Sequence, residues 1–247
     1  MLNYVASPNE LENKVILVTG AGGGIGKAAA LSFAAHGATV ILLGRTVKKL
    51  ENVYDQIVTS GGPEPAIVPL DLKGATAQHY RDMAATIINQ FGKLDGLLHN
   101  ASVLGHLEPL KQITEELFDE VMQVNLKSEF LMTQALLDPL ALAPCASVLF
   151  TSSSVGNKGR AYWGTYAISK FATEGMMQVL ADEYSNTSLR FNAINPGATR
   201  TSMRAKAFPA ENPDDLKAPQ DIMPLYLYLM SDESKSENGK TFVAQPK

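Results

Sequence analysis

Three features of the chain predict an α/β fold, a doubly wound parallel sheet of about seven strands with helices on both faces. Short apolar runs alternate with helix-length segments from Val15 to Ala244, with no internal repeat and no linker that would mark a boundary. The runs are continuously apolar rather than alternating, as strands buried on both faces must be. The first run ends in a cluster of glycines that opens directly into an Ala-rich segment, a strand–turn–helix unit. One domain over residues 1–247 is expected, with 1–13 as an N-terminal extension.

The first strand is Val15 to Thr19 (VILVT), closed by Gly20. The turn Gly20-Ala21-Gly22-Gly23-Gly24-Ile25-Gly26 leads into a helix from Lys27 to His36. Glycines allow a sharp turn and close approach of a phosphate, and the helix start offers free N–H groups and a positive dipole end. The strand before and the helix after make this turn a candidate phosphate site rather than a simple reversal. The second strand, Ala38 to Leu43, ends at Gly44-Arg45-Thr46. An acidic residue there would bind the ribose 2′-hydroxyl of NAD. Gly44 offers no carboxylate, and Arg45 can hold a 2′-phosphate by charge-assisted hydrogen bonds, so NADP is expected over NAD. Lys48 and Lys49 follow on a polar helix that ends before Ser60 and are expected to be solvated.

The third strand, Ala66 to Leu70, ends at Asp71-Leu72, and a helix from Ala75 to Gln90 follows. The fourth, Leu94 to His99, delivers Asn100-Ala101-Ser102 to the same edge of the sheet, where Asn100 either meets a cofactor or caps a turn. A long helix from Glu115 to Leu140 contains Asn125, whose amide must find partners if it is buried. The fifth strand, Ser147 to Ser152, delivers Ser153. Tyr166 and Lys170 then stand four apart in a helix from Thr165 to Tyr184 and share one face. An ordinary phenol, with a pKa of about 10, is a poor proton donor or base near neutrality. Lowering it by ~3 units takes about 4 kcal/mol, which a close, desolvated ammonium together with a cationic cofactor ring could supply. The sixth strand, Ser188 to Ile194, ends in Asn195-Pro196-Gly197. An irregular flap spans 198–217, then a helix from Pro219 to Met230 and a last strand from Lys240 to Ala244.

Composition narrows the function classes. Apolar residues make up 45% and charged residues 19%, ordinary values for a soluble domain. A net charge of −4 without a basic block argues against nucleic acid and anionic membrane as partners. The single Cys145 excludes an intrachain disulfide framework. The first residues lack a basic, then apolar, secretory pattern, and no apolar run approaches the ~20 residues of a membrane helix. A cytoplasmic protein is expected. No metal site is expected, since His99, His106 and Glu108 have no ligand spacing and Cys145 has no evident His partner.

Taken together, Gly20 to Gly26, Asn100-Ala101, Asn125, Ser153, Tyr166 and Lys170 resemble the single-domain form of the short-chain dehydrogenase/reductase family, whose fold is Rossmann-like. The resemblance runs from about Lys14 to the C-terminus. It implies cofactor contacts at Gly20, Gly24, Ile25, Gly26, Arg45, Asp71, Leu72, Asn100, Ala101, Tyr166, Lys170, Pro196, Gly197, Thr199 and Thr201. It implies a catalytic tetrad of Asn125, Ser153, Tyr166 and Lys170, with Asn125 holding a water of a proton relay. The activity implied is NADP-dependent hydride transfer with a small-molecule carbonyl or alcohol. The alternative is a non-catalytic NADP-binding regulator, whose mark would be loss of Ser, Tyr or Lys. Two departures stand out. His99-Asn100-Ala101-Ser102 replaces the family's Asn-Asn-Ala-Gly, and the C-terminal end lacks its Asp-Gly-Gly.

The same resemblance implies a homodimer or homotetramer through the helices Glu115 to Leu140 and Thr165 to Tyr184, with Phe171, Gly175 and Val179 as a stripe for a partner. The pocket mouth is expected from Leu104 to Leu107, Tyr162-Trp163 and the flap, whose Arg200, Arg204 and Lys206 could recruit an anionic group.

Overall fold

A computed structural model describes residues 3–246. The strands are β1 (Val15–Thr19), β2 (Thr39–Gly44), β3 (Ala66–Pro69), β4 (Gly96–His99), β5 (Ala146–Thr151), β6 (Leu189–Asn195) and β7 (Thr241–Val243). All seven pair in parallel in the order β3-β2-β1-β4-β5-β6-β7. Every residue of β1, β4 and β5 is buried, which is why apolar residues fill consecutive rather than alternate positions in these runs. In β1, Leu17 sits opposite Ile41 on one side and Leu97 on the other. The strand order reverses between β1 and β4, so the chain leaves a crevice beyond their carboxyl ends.

Helices cover both faces. On one, α1 (Gly24–Ala35), α2 (Val47–Thr59) and a later helix, Met223–Met230, enclose a core of Phe33, Leu50 and Tyr226. On the other, α3 (Ala77–Phe91) and the helices Ser128–Ala141 and Gly164–Glu183 enclose Tyr80, Leu136 and Met177. The described part of the N-terminal extension joins the first core. Leu11 is fully buried, and the Tyr4 ring meets Tyr228 edge-on at 5.4 Å.

Several boundaries differ from the sequence expectation for local reasons. Helix α1 starts at Gly24 instead of Lys27, because the glycine turn itself closes the first helical bond, Lys27 N to Gly23 O. The segment expected as one long helix is α4 (Glu115–Met122), a π-helical turn (Gln123–Lys127) and α5 (Ser128–Ala141). The π turn lies where Asn125 is tied sideways to the loop after β4, and a side chain bonded across the groove favours such a widened turn. The helix bearing Tyr166 and Lys170 is α6 (Gly164–Glu183), the flap contains α7 (Ser202–Ala207), and the last helix is α8 (Met223–Met230), preceded by a 3-10 turn at Pro219–Ile222. Phe171 and Val179 point outward at 44% and 56% exposure, and beyond Gly175 there is open space. That stripe is not packed within the chain.

Candidate active site

The glycine turn after β1 is shaped by close approach. Gly20 and Gly24 hold φ of +68° and +53°, which favour glycine. A Cβ on Gly26 would lie 2.4 Å from the Gly20 carbonyl oxygen and 2.6 Å from Asn100 Nδ2. Helix α1 follows Gly23 with no side-chain cap and no acid in its first turn, so its leading N–H groups and dipole end have no competing carboxylate. A turn of this shape could hold a dinucleotide pyrophosphate, and the residues fit the group. Asn100 braces it from β4. Its Nδ2 donates to Thr19 O (3.1 Å), while Thr19 Oγ1 accepts from Asn100 N (2.9 Å) and Ala101 N (3.0 Å).

Further along the same edge, Gly44 closes β2 and Arg45 is exposed beside it. Asp71 is exposed and accepts from Lys73 N (3.1 Å), with Leu72 buried next to it. Ile25 is half-buried in the first turn of α1. Beyond β6, Gly197 turns the chain with φ +72°. Gln245 Nε2 staples this turn by donating to Pro196 O (2.8 Å), Ala198 O (3.1 Å) and Thr199 Oγ1 (3.1 Å). Thr201 caps α7, accepting from Arg204 N (3.1 Å), and its methyl is 3.4 Å from where a Cβ on Gly24 would sit. The flap therefore starts against the cradle. Its two ends are joined by Arg200 N donating to Lys217 O (2.9 Å).

Ser153 follows β5 and caps a short 3-10 turn, accepting from Val155 N (3.4 Å). Tyr166 and Lys170 lie one turn apart on α6, both buried, with Lys170 Nζ 5.9 Å from the centre of the Tyr166 ring. Nζ donates to Thr151 O (2.7 Å), which fixes it under the end of β5. Burial lowers the Lys170 pKa, while Glu129 and Glu174 favour its charged form. Burial pushes Tyr166 up to about 12, Ser153 draws it down, and the charge of Glu129 raises it. Among protein groups alone, desolvation of the phenolate is the largest influence.

Asn125 is completely buried, and its amide is spent on structure. Oδ1 accepts from Val103 N (2.8 Å), and Nδ2 donates to Val103 O (2.9 Å) and Ser169 Oγ (3.1 Å). It thereby ties the loop after β4 to α6. Two further buried groups escaped the sequence reading. Glu129 Oε1 lies 3.8 Å from Lys170 Nζ, and its Oε2 accepts from Thr173 Oγ1 (2.9 Å). Burial raises its carboxyl to about 7 against the pull of Lys170 and Thr173. His99 contacts Thr133 Oγ1 through Nε2 (2.8 Å) and stacks on Phe150 at 5.0 Å. Burial, then Lys170, lowers it to about 3. A signal was present. Asn125, Glu129 and Thr133 recur four apart and so share one helix face.

On the open side of Tyr166, Leu104, Trp163 and Met203 pack around Val155, Tyr166 and Ala167. Trp163 stands 5.8 Å from Tyr166 and 5.9 Å from Phe208, so an aromatic series runs from the phenol to the flap. The expected recruitment of an anion by the flap loses two of its three charges. Arg204 makes two bonds of 2.6 Å to Glu211 while lying 3.8 Å over the Phe208 ring, and Arg200 pairs with Asp214 at 3.3 Å. These cations stabilise the flap's own shape. The side chains packed beside Tyr166 are apolar and aromatic, with Arg160 over the Trp163 and Phe208 rings at 5.9 and 5.7 Å.

Comparison with known proteins agrees with this geometry. The family model described as short chain dehydrogenase matches residues 14–212. The chain is 51% identical over 245 residues to the uncharacterized oxidoreductase YciK of Escherichia coli K12, covering 99% of this chain and 97% of that protein. A short chain dehydrogenase of Shigella flexneri 2a solved in complex with NADP superimposes with a TM-score of 0.95 at 52% identity, covering 97% of this chain and 100% of that one. One from Escherichia coli CFT073 in complex with NADPH gives a TM-score of 0.95 at 52% identity, with the same coverage.

Proposed function

The chain belongs to the short chain dehydrogenase family, and on that premise we propose that it is an NADP-dependent oxidoreductase acting on a carbonyl or alcohol substrate. The observation that carries the reading is the convergence of Ser153, Tyr166 and Lys170 beside the glycine cradle, under an apolar aromatic wall. NADPH, when bound, supplies the hydride in the reducing direction. The turn from Gly20 to Gly26, with Asn100 and Ala101 behind it, holds the pyrophosphate, and Arg45 reads the 2′-phosphate where Gly44 leaves room. Asp71 and Leu72 flank the adenine, and Pro196, Gly197, Thr199 and Thr201 line the nicotinamide side. NADP and NADPH in the two related structures support this choice of cofactor.

Tyr166 protonates the developing alkoxide, or accepts the alcohol proton in reverse. Ser153 donates to the same oxygen and keeps it at the phenol. Lys170, fixed by Thr151 O, presents its positive charge to Tyr166. Asn125 holds the loop after β4 against α6, so the relay side of Lys170 keeps its shape. Leu104, Trp163, Met203 and Phe208 select a medium-sized, largely apolar body beside the reactive carbon. A second copy of the chain covers Phe118, Phe130, Phe171 and Val179, all exposed, to give a dimer or a tetramer. The free thiol of Cys145 suits a reducing cytoplasm.

The test is a screen of the purified chain against ketones, aldehydes and quinones by NADPH absorbance, with cofactor binding followed in parallel. Turnover of an apolar ketone or aldehyde is expected. Tight NADPH binding with no turnover across the panel would leave a cofactor-binding regulator instead, and no binding would overturn the reading altogether.

A further inference from the structure

Below Tyr166 the contact between α5 and α6 is polar where helix contacts are ordinarily apolar. Glu129 and Thr133 on α5, Asn125 in the π turn before it, and Ser169, Lys170, Thr173 and Glu174 on α6 are all buried. Most of their polar atoms are satisfied. Asn125 bonds Ser169, Thr133 bonds His99, Thr173 bonds Glu129, and Lys170 bonds Thr151 O. Glu129 Oε1 and Glu174 Oε1 are the exceptions, both buried and accepting no hydrogen bond. Of the two, Glu129 Oε1 lies 3.8 Å from Lys170 Nζ. A buried carboxylate oxygen in that condition is destabilising, and its remaining compensation is the charge of Lys170.

We propose that Glu129 is a positioning residue for proton transfer, whose charge state sets how strongly Lys170 favours the ionised form of Tyr166. The proposal rests on the reading of Tyr166 and Lys170 as the proton-handling pair. With Glu129 ionised, its charge and that of Lys170 largely cancel at the phenol. With Glu129 protonated, Lys170 acts on Tyr166 unopposed, and the phenolate forms more readily. Burial holds the carboxyl at about 7, so both charge states are populated close to neutrality. The same environment holds the phenol at about 12, with Glu129 among the groups raising it. The other ionisable groups facing the pair are few. Glu174 on α6, which accepts from Thr241 Oγ1 on β7, also favours charged Lys170. His99 on β4, lowered to about 3, stays neutral across this range. Burial brings the Glu129 carboxyl into this range.

Two spectroscopic arms test this. In the unliganded wild-type protein with carboxyl-labelled glutamate, carbon NMR should show one glutamate titrating near pH 7, and this resonance should be missing in Glu129→Gln. In protein saturated with NADP⁺, the ultraviolet absorbance of tyrosinate is titrated in wild type and in Glu129→Gln, each against its Tyr166→Phe counterpart to isolate Tyr166. The Tyr166 inflection should move toward acid by about one pH unit or more in Glu129→Gln, the shift expected on removing one nearby negative charge. The Gln side chain keeps an acceptor for Thr173, so a merely structural role would leave the inflection where it is. An unmoved inflection, or no glutamate titrating near neutrality, overturns the proposal. Neither arm needs a substrate, so a failed screen for turnover leaves the outcome readable. The NMR arm on wild type stands even where the variant does not fold or NADP⁺ does not bind.

Discussion

His99 should make the stability of the protein depend on pH in a way that one substitution reverses. The imidazole goes from an ordinary 6.5 to about 3 in the folded chain, because it is buried against Phe150 and near Lys170. Above pH 6.5 both folded and unfolded forms are neutral, and the group contributes nothing to pH dependence. Below it the unfolded chain takes up a proton that the native state refuses, so stability falls as pH falls, by about 1.4 kcal/mol per unit. Glu129 works in the opposite sense. Its carboxyl rises from 4.5 to about 7, so the native state keeps a proton that the unfolded chain has lost, and stability rises as pH falls through that interval. Between pH 4.5 and 6.5 the two slopes oppose each other and wild type should be nearly flat from this pair. In His99→Asn only the Glu129 slope survives. Relative to wild type the variant should gain about 2.7 kcal/mol on going from pH 6.5 to 4.5, two units at the slope above, whatever its loss at neutrality. Urea midpoints for both proteins across that range measure this, and acid-sensitive surface carboxylates cancel in the difference. Curves that stay parallel would refute a buried, neutral His99.

Further outcomes follow from the site. Tyr166→Phe should lower turnover by ~10²–10⁴-fold with NADPH binding nearly unchanged, since the phenol serves proton transfer; a loss within about tenfold removes that role. Gly44→Asp should reverse or erase the preference for NADPH over NADH in kcat/KM, because a Cβ there meets Leu50 at 3.1 Å, which its side chain can accommodate, and the carboxylate would oppose a 2′-phosphate beside Arg45. Equal kcat/KM for both cofactors in wild type contradicts the assignment. Gly26→Ala should weaken NADPH binding at least tenfold and cost about 1–3 kcal/mol in denaturant stability, because the added methyl would stand 2.4 Å from the Gly20 carbonyl oxygen. Fluorescence titration and urea unfolding measure the two effects. A concentration-independent monomer in sedimentation would remove the partner assigned to Phe171 and Val179.

The local features of the fold were legible in the sequence because they follow from near-neighbour chemistry. Continuous apolar runs such as VILVT need burial on both faces, and glycines at Gly20 and Gly24 serve a turn with positive φ. A four-residue spacing puts Tyr166 and Lys170 on one helix face whatever the helix packs against. Within the segment read as a flap, 198–217, the backbone joins Arg200 to Lys217. Tertiary structure decided what depends on the facing element. The π turn at Gln123–Lys127 exists because Asn125 bonds Val103, twenty-two residues away, and no helix propensity carries that information. Arg200 and Arg204 read as free cations in sequence, yet Asp214 and Glu211 fold back on them. The ionisation of Tyr166 was expected to follow from Lys170 together with a cationic cofactor ring. It depends also on burial and on Glu129, brought in by the neighbouring helix, because an electrostatic environment is a property of distances and solvent exclusion that spacing along one helix does not contain.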